Sequence, residues 1–354
     1  MWDHKLPLGL PIISALLFAG GLDTVDAEQM RIRLITTGGT ISNRPGTRLS
    51  PAELVASVPD LDDLVEAEVE EFTNVSSSSL TLNQWLQLSS RINEVLAEDP
   101  DLTGIVLTSG TDTLEELAYF LHLTIRHERP VVLVGSMRPP ETLGYDGAAN
   151  LRQAFRVAAD PNSVGRGVLV VLNDEINSAR EVTKTDALHL QTFETRRYGV
   201  LGVASRDRIV YYRGIERRHT AGTEFEVSQI ERLPRVEIVM SYQGATGDLI
   251  RAAVDRGADG IVIASAGAGS TSSGQRDAIT YAYEHNVFVV ITTRTGRGRI
   301  APQKPTEEES VTGARQNLRI SGEDLSPVKA RVLLMLALTV THELNEIQRM
   351  FGDY

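Results

Sequence analysis

RIRLITTGGT at residues 31–40 and GIVLTSGTDT at residues 104–113 share one plan: a β-branched apolar run that stops at glycines and hydroxyls. Continuous apolar runs as short as IRLI (32–35) and GIVL (104–107) suit strands buried on both faces of a parallel sheet. The segments Thr37-Gly-Gly-Thr40 and Thr108-Ser-Gly-Thr-Asp-Thr113 then fall just past the carboxyl ends of two strands. Open α/β sheets bind ligands along that edge, so the two segments read as halves of one site.

Outward from these segments the same alternation continues. IRLI, PAELVASV, GIVLT, TLEELAYFLHLTI, VVLVGS, ANLRQAFRVAA and GVLVVLN succeed one another between Arg31 and Asp174, which predicts a parallel, helix-covered sheet. Right-handed crossovers would bring the loops after Ile35, Leu107 and Leu172 to one edge. A polar stretch around RGIERRHTAGTEFEV lacks sustained periodicity and reads as a connection. A second series follows: VEIVMS, GDLIRAAVDRG, GIVIAS, a helix near 275–286, VFVVIT and a long amphipathic helix from about Pro327 to Phe351. The expected fold class is α/β in two domains, a larger N-terminal parallel-sheet domain over 31–206 and a smaller C-terminal α/β domain over 236–354, joined by 207–235.

The chain has 354 residues and 42% hydrophobic content, enough for a large core. Its net charge of -12 disfavours nucleic acid as a partner. The absence of cysteine excludes disulfides and thiolate chemistry and leaves the compartment open. The compartment is indicated by LPLGLPIISALLFAGGL at 6–22, preceded by Lys5 and followed by the small residues of Val25-Asp-Ala27. Interrupted by prolines and shorter than the roughly 20 residues of a membrane span, it reads as a signal peptide over 1–27. The expected product is periplasmic or secreted, without a membrane anchor after cleavage.

The chemistry is narrowed by what the motifs lack. TTGGTISN at 36–43 fits neither nucleotide-binding glycine spacing, and GAGSTSSG at 267–274 places its third glycine late. No histidine pair has zinc-protease spacing, and no G-x-S-x-G elbow occurs. A nucleotide site and metal catalysis are both disfavoured, and the remaining nucleophiles are Thr and Ser. A threonine hydroxyl is protonated at neutral pH and needs a base or a hydrogen-bond chain. The nearest candidate base is Lys184 in Val182-Thr-Lys-Thr185. On its own Lys184 reads first as an ordinary surface lysine, and Asp112 as the cap of a helix starting near Leu114.

Taken together, TTGGTI at 36–41, LTSGTDTLEELAYFL at 107–121, VVLVGSMRP at 131–139, RGVLVVLNDEINSAREVTKT at 166–185 and VKARVLLMLALT at 328–339 closely resemble bacterial type II L-asparaginases. The likeness runs over about residues 31–352. It implies a two-domain asparaginase-like fold and a threonine amidohydrolase without cofactor, acting on a small amino-acid amide. Thr40 would attack the side-chain amide and form an acyl-enzyme. Thr111 would act with Lys184 and Asp112, and Asp112 would also face the substrate ammonium. Ser77, with Ser78 beside it, matches the position that holds the α-carboxylate, and the Ser136 carbonyl the position that accepts the amide hydrogens. Backbone N–H groups near Thr111 and Gly39 would stabilise the oxyanion.

The resemblance further implies a homotetramer with sites built between subunits. In the family a lid tyrosine follows the first threonine, whereas here no tyrosine precedes Tyr119. Gly244 stands where an asparagine is usual, and the usual second-domain glutamate falls ambiguously among Glu307, Glu308 and Glu309. The readings to be separated are an L-asparaginase, a broad glutaminase-asparaginase, an amidotransferase subunit acting on tRNA, which export and acidic charge disfavour, and a decayed exported amino-acid-binding protein.

Overall fold

A computed structural model describes residues 1, 29–195, 197–303 and 319–354. Residues 2–27 of the stretch read as a signal peptide, and Glu307, Glu308 and Glu309, lie outside the described residues. The chain forms an eight-stranded and a four-stranded sheet, each packed with helices, which is the expected two-domain α/β fold.

In the N-terminal part the strands are β1 (Arg31–Gly38), the small ribbon β2 (Asn43–Arg44) and β3 (Thr47–Arg48), β4 (Glu66–Val75), β5 (Leu102–Thr108), β6 (Val131–Val134), β7 (Val168–Leu172) and β8 (Glu175–Ser178). They are followed by the hairpin β9 (Thr183–Lys184) and β10 (Phe193–Glu194), then β11 (Gly202–Ala204) and β12 (Ile209–Tyr211). The large sheet has the order β12-β11-β8-β7-β6-β5-β1-β4. Strands β4, β1, β5, β6 and β7 are parallel, whereas β8, β11 and β12 continue antiparallel. The sheet is thus mixed rather than wholly parallel, and its last strand, Ile209–Tyr211, lies within the stretch read as a connection.

Period-two alternation divides the apolar strands between two cores. Ile105, Leu107, Leu133 and Val170 point to one face, and Val106, Val132, Val134, Leu169 and Val171 to the other. Helices α1 (Pro51–Ala56) and α4 (Gly147–Ala159) cover the second face. Helices α2 (Leu82–Glu98) and α3 (Leu114–Thr124) cover the first. The edge strand β4, EAEVEEFTNV, is charged and largely half-exposed, and Arg31, Arg33 and Arg91 pair with its Glu68 and Glu70. Its composition hides it from a search for apolar runs.

The small sheet, β13 (Val236–Met240), β14 (Gly260–Ser265), β15 (Phe288–Thr293) and β16 (Arg319–Ser321), is parallel throughout. Helices α5 (Asp248–Asp255) and α6 (Ser273–Glu284) cover its outer face. On the inner face the predicted single C-terminal helix is two, α7 (Pro327–Val340) and α8 (Leu344–Asp353). The chain turns extended at Thr341, whose hydroxyl accepts from the Glu343 N–H. Helix α7 is buried on nearly all sides rather than amphipathic, because it packs between α3 and the small sheet and joins the two halves in one core.

Candidate active site

Parallel register gathers the candidate residues. Thr36 of β1 aligns with Thr108 of β5, Thr108 with Val134 of β6, and Gly38 with Val75 of β4. The segments carrying Thr40, Thr111-Asp112, Ser136 and Ser77-Ser78 therefore leave the carboxyl ends of four neighbouring strands. The Thr37 hydroxyl donates to the Thr108 carbonyl at 2.8 Å, tying the first two ends together.

Glycine permits the next step. Gly39 has φ 91°, and a methyl there would overlap the Gly110 backbone, so the two threonine loops cross in direct contact. Thr40 and Thr111 each stand one residue past that crossing. A Cβ on Gly110 would in turn lie 2.9 Å from the Ser77 hydroxyl, which places the serine turn directly behind it. Ser77 and Ser136 are buried and Ser78 is exposed. The Ser136 hydroxyl donates to the Arg138 carbonyl at 2.8 Å.

The lysine arrives on the β9–β10 hairpin, in which Lys184 faces Phe193. Its ammonium donates to the Thr111 hydroxyl at 3.0 Å and to Asp112 Oδ1 at 2.8 Å. Thr111 is buried, Lys184 has 15% of its side chain exposed, and Asp112 has 76%. The trio thus runs from a sheltered hydroxyl to a carboxylate open to solvent. Asp112 is not the cap of α3: Thr113 holds that position, and the Asp112 carboxylate turns to Lys184 instead. Thr40, half-buried, opens a short 3-10 turn through Ser42. The Gly39 N–H itself donates to the Val75 carbonyl at 3.0 Å, one residue past the end of β1.

Two further residues hold the lysine, and the motif search missed both. Glu115 accepts from the Thr183 hydroxyl at 2.9 Å and from the Lys184 backbone N–H at 3.2 Å. It sits three residues after Asp112 within TDTLEE, where an acid looks like ordinary first-turn helix chemistry. Lys329, on α7, is buried and donates to the carbonyls of Ala179 and Arg180 at 2.9 Å each and to that of Val182. Burial pushes this ammonium down to about 8. Beside it Arg180 and Asp324 form a buried pair at 2.8 Å across the two domains. Burial pushes the Asp324 carboxyl up, but the Arg180 hydrogen bond and charge hold it well below its ordinary range. The C-terminal domain therefore grips the segment that delivers Lys184. No pattern in VKARVLL announces this, because an α7 lysine and a β8–β9 loop meet only in the folded chain.

The arrangement supplies hydroxyls beside a lysine and a carboxylate, with two serines adjacent, a combination suited to acyl transfer from an amide. Comparison with known proteins agrees. Residues 31–217 match the family model described as "Asparaginase, N-terminal", and residues 235–351 that described as "Glutaminase/Asparaginase C-terminal domain". The chain is 41% identical over 333 residues to L-asparaginase 2 of Bacillus subtilis, covering 91% of this chain and 86% of that one. It is 40% identical over 333 residues to L-asparaginase 2 of Escherichia coli, with 91% and 93% covered. Among solved structures, the probable cytoplasmic L-asparaginase of Campylobacter jejuni superposes with a TM-score of 0.85 at 37% identity, over 92% of this chain and 100% of that one. The register that gathers the threonine loops, the lysine bonded to Thr111 and Asp112 and these likenesses over both domains lead to one conclusion: the chain belongs to the asparaginase family of amidohydrolases.

Proposed function

We propose that this protein hydrolyses L-asparagine to L-aspartate and ammonia, with glutamine as a slower substrate. The observation that carries the reading is the Lys184 ammonium, 3.0 Å from the Thr111 hydroxyl and 2.8 Å from Asp112. In this reading the Thr40 oxygen adds to the amide carbon, and its proton passes to the departing nitrogen. The C–N bond then breaks and ammonia leaves, and water cleaves the threonine ester to return the hydroxyl. Thr111, Lys184 and Asp112 act as one network around the proton transfers.

The remaining groups bind substrate. The solvent-facing Asp112 carboxylate meets the α-ammonium, Ser77 and Ser78 receive the α-carboxylate, and the Ser136 carbonyl accepts from the amide. The family's C-terminal domain is shared with glutaminases, which keeps a broad glutaminase-asparaginase as the second reading. A homotetramer with shared sites is supported by the apolar surface at and beside the edge strand β13, where Met240, Tyr242 and Leu249 are 54%, 53% and 62% exposed. Export is supported by the 6–22 stretch alone.

The test is ammonia release from purified protein offered asparagine, glutamine and their D-forms. Release from L-asparagine that Thr40→Ala abolishes supports the reading. No release from any of the four substrates overturns it in favour of an amino-acid-binding protein.

A further inference from the structure

The turn that carries Thr40 is held at four carbonyls. Gly39 O accepts from the Ser42 N–H at 3.3 Å, Thr40 O from the Asn43 N–H, and Ser42 O from the Leu49 N–H at 2.7 Å, all partners within the same segment. The Ile41 carbonyl differs, since it accepts from the Tyr145 hydroxyl at 2.8 Å across 104 residues. Ile41 is fully buried, so this carbonyl has no water to fall back on. A second tie joins the same two segments: Arg44 on the β2–β3 ribbon lies 3.3 Å from Glu141.

The loop bearing Tyr145 is itself fixed to the site. Asp146, its neighbour, accepts from the Met137 and Arg138 N–H groups at 2.9 Å each and from the Asn150 amide, which also donates to the Gly135 carbonyl. Ser136 lies between those anchors. Tyr145 is ordered by more than its hydroxyl bond, because the hydroxyl end of its ring packs against Gly147, where a Cβ would overlap it. Burial pushes the Tyr145 phenol up to about 12, so it remains a donor at neutral pH.

We infer that Tyr145 is a positioning residue that locks the Thr40 turn to the Ser136 loop, setting the distance between the nucleophile and the amide it attacks. The inference rests on the proposed role of Thr40. The segment after Thr40 has no tyrosine of its own, and Tyr145 reaches it from a different loop.

The test uses the full-length protein and steady-state kinetics with L-asparagine. Tyr145→Phe keeps the ring and loses the hydroxyl, and Gly147→Ala keeps the hydroxyl and displaces the ring. Both are expected to lower kcat at least about tenfold while KM stays within about twofold, because Ser77, Ser78 and Asp112 lie on other loops. Gly147 is at the start of α4 without a left-handed backbone, so its alanine variant is expected to fold even if Tyr145→Phe does not. A kcat within about twofold of wild type in both variants, or a KM rise that accounts for the whole loss, overturns the inference. If Thr40→Ala retains activity, the nucleophile assignment falls instead, so the two failures are distinguishable.

Discussion

Replacing Lys184 with Met separates catalysis from stability, because the structure assigns the lysine very different weights in each. In the ground state its ammonium makes one hydrogen bond to Thr111 and one ion pair with Asp112. The Asp112 side chain is 76% exposed, so the pair is screened and is worth at most about 1 kcal/mol. The Thr111 hydrogen bond adds about 1 kcal/mol. Met conserves the apolar stem, so the variant is expected to lose about 2 kcal/mol, a few degrees in Tm. During turnover the same ammonium is the only described cation bonded to the Thr111 hydroxyl. A fall in kcat of about a thousandfold or more, about 4 kcal/mol of barrier, is therefore expected. Thermal melting and ammonia release on the same preparation measure both. Because Thr111 and Lys184 act through one hydrogen bond, the double variant Thr111→Val/Lys184→Met is expected to be no slower than the worse single one. The reasoning is refuted by a kcat within tenfold of wild type, by multiplicative losses in the double variant, or by a Tm loss beyond about 10 °C.

Two further outcomes follow from the geometry. Gly110→Ala would drive a Cβ against Ser77, 2.9 Å from its hydroxyl and 3.1 Å from its backbone N, so steady-state kinetics are expected to show KM raised about tenfold or more in a folded enzyme. His122 is buried, accepts from the Val168 N–H at 3.1 Å and faces the His219 ring at 5.1 Å; burial, then His219, holds its pKa well below the ordinary value. The unfolded chain takes up that proton near pH 6.5 and the folded one does not, so stability is complete above that pH. It falls by about 1.4 kcal/mol per unit below it. His122→Asn, which keeps an acceptor for Val168, is expected to flatten the decline of Tm between pH 7 and 5.5, and an unchanged slope would remove His122 as its source.

Legibility in the sequence followed burial. Strands β1, β5, β6 and β7 are sealed on both faces, and their unbroken apolar runs could be read directly. Strand β4 lies at the sheet edge and is stabilised by ion pairs, so its charged pattern concealed it. Strand β12, three residues long and paired antiparallel with β11, was too short to separate from a connection. At the site, hydroxyls and glycines at strand ends marked Thr40 and Thr111 by local pattern. Glu115 and Tyr145 wore ordinary disguises, a first-turn acid and a loop aromatic.

What the sequence by itself determined was the class of fold, the family resemblance and the two threonine loops, since each rests on a contiguous pattern of burial or conformation. The resemblance implied that Asp112 works with Lys184, but only the tertiary structure decided that its carboxylate bonds the ammonium directly instead of capping its helix, that Lys329 grips the segment leading to that lysine, and that Tyr145 reaches the Ile41 carbonyl. These contacts span 72, 147 to 150, and 104 residues. A hydrogen bond requires its partners within about 3 Å, and over such separations that proximity comes from strand register and domain packing, which no local run of residues encodes.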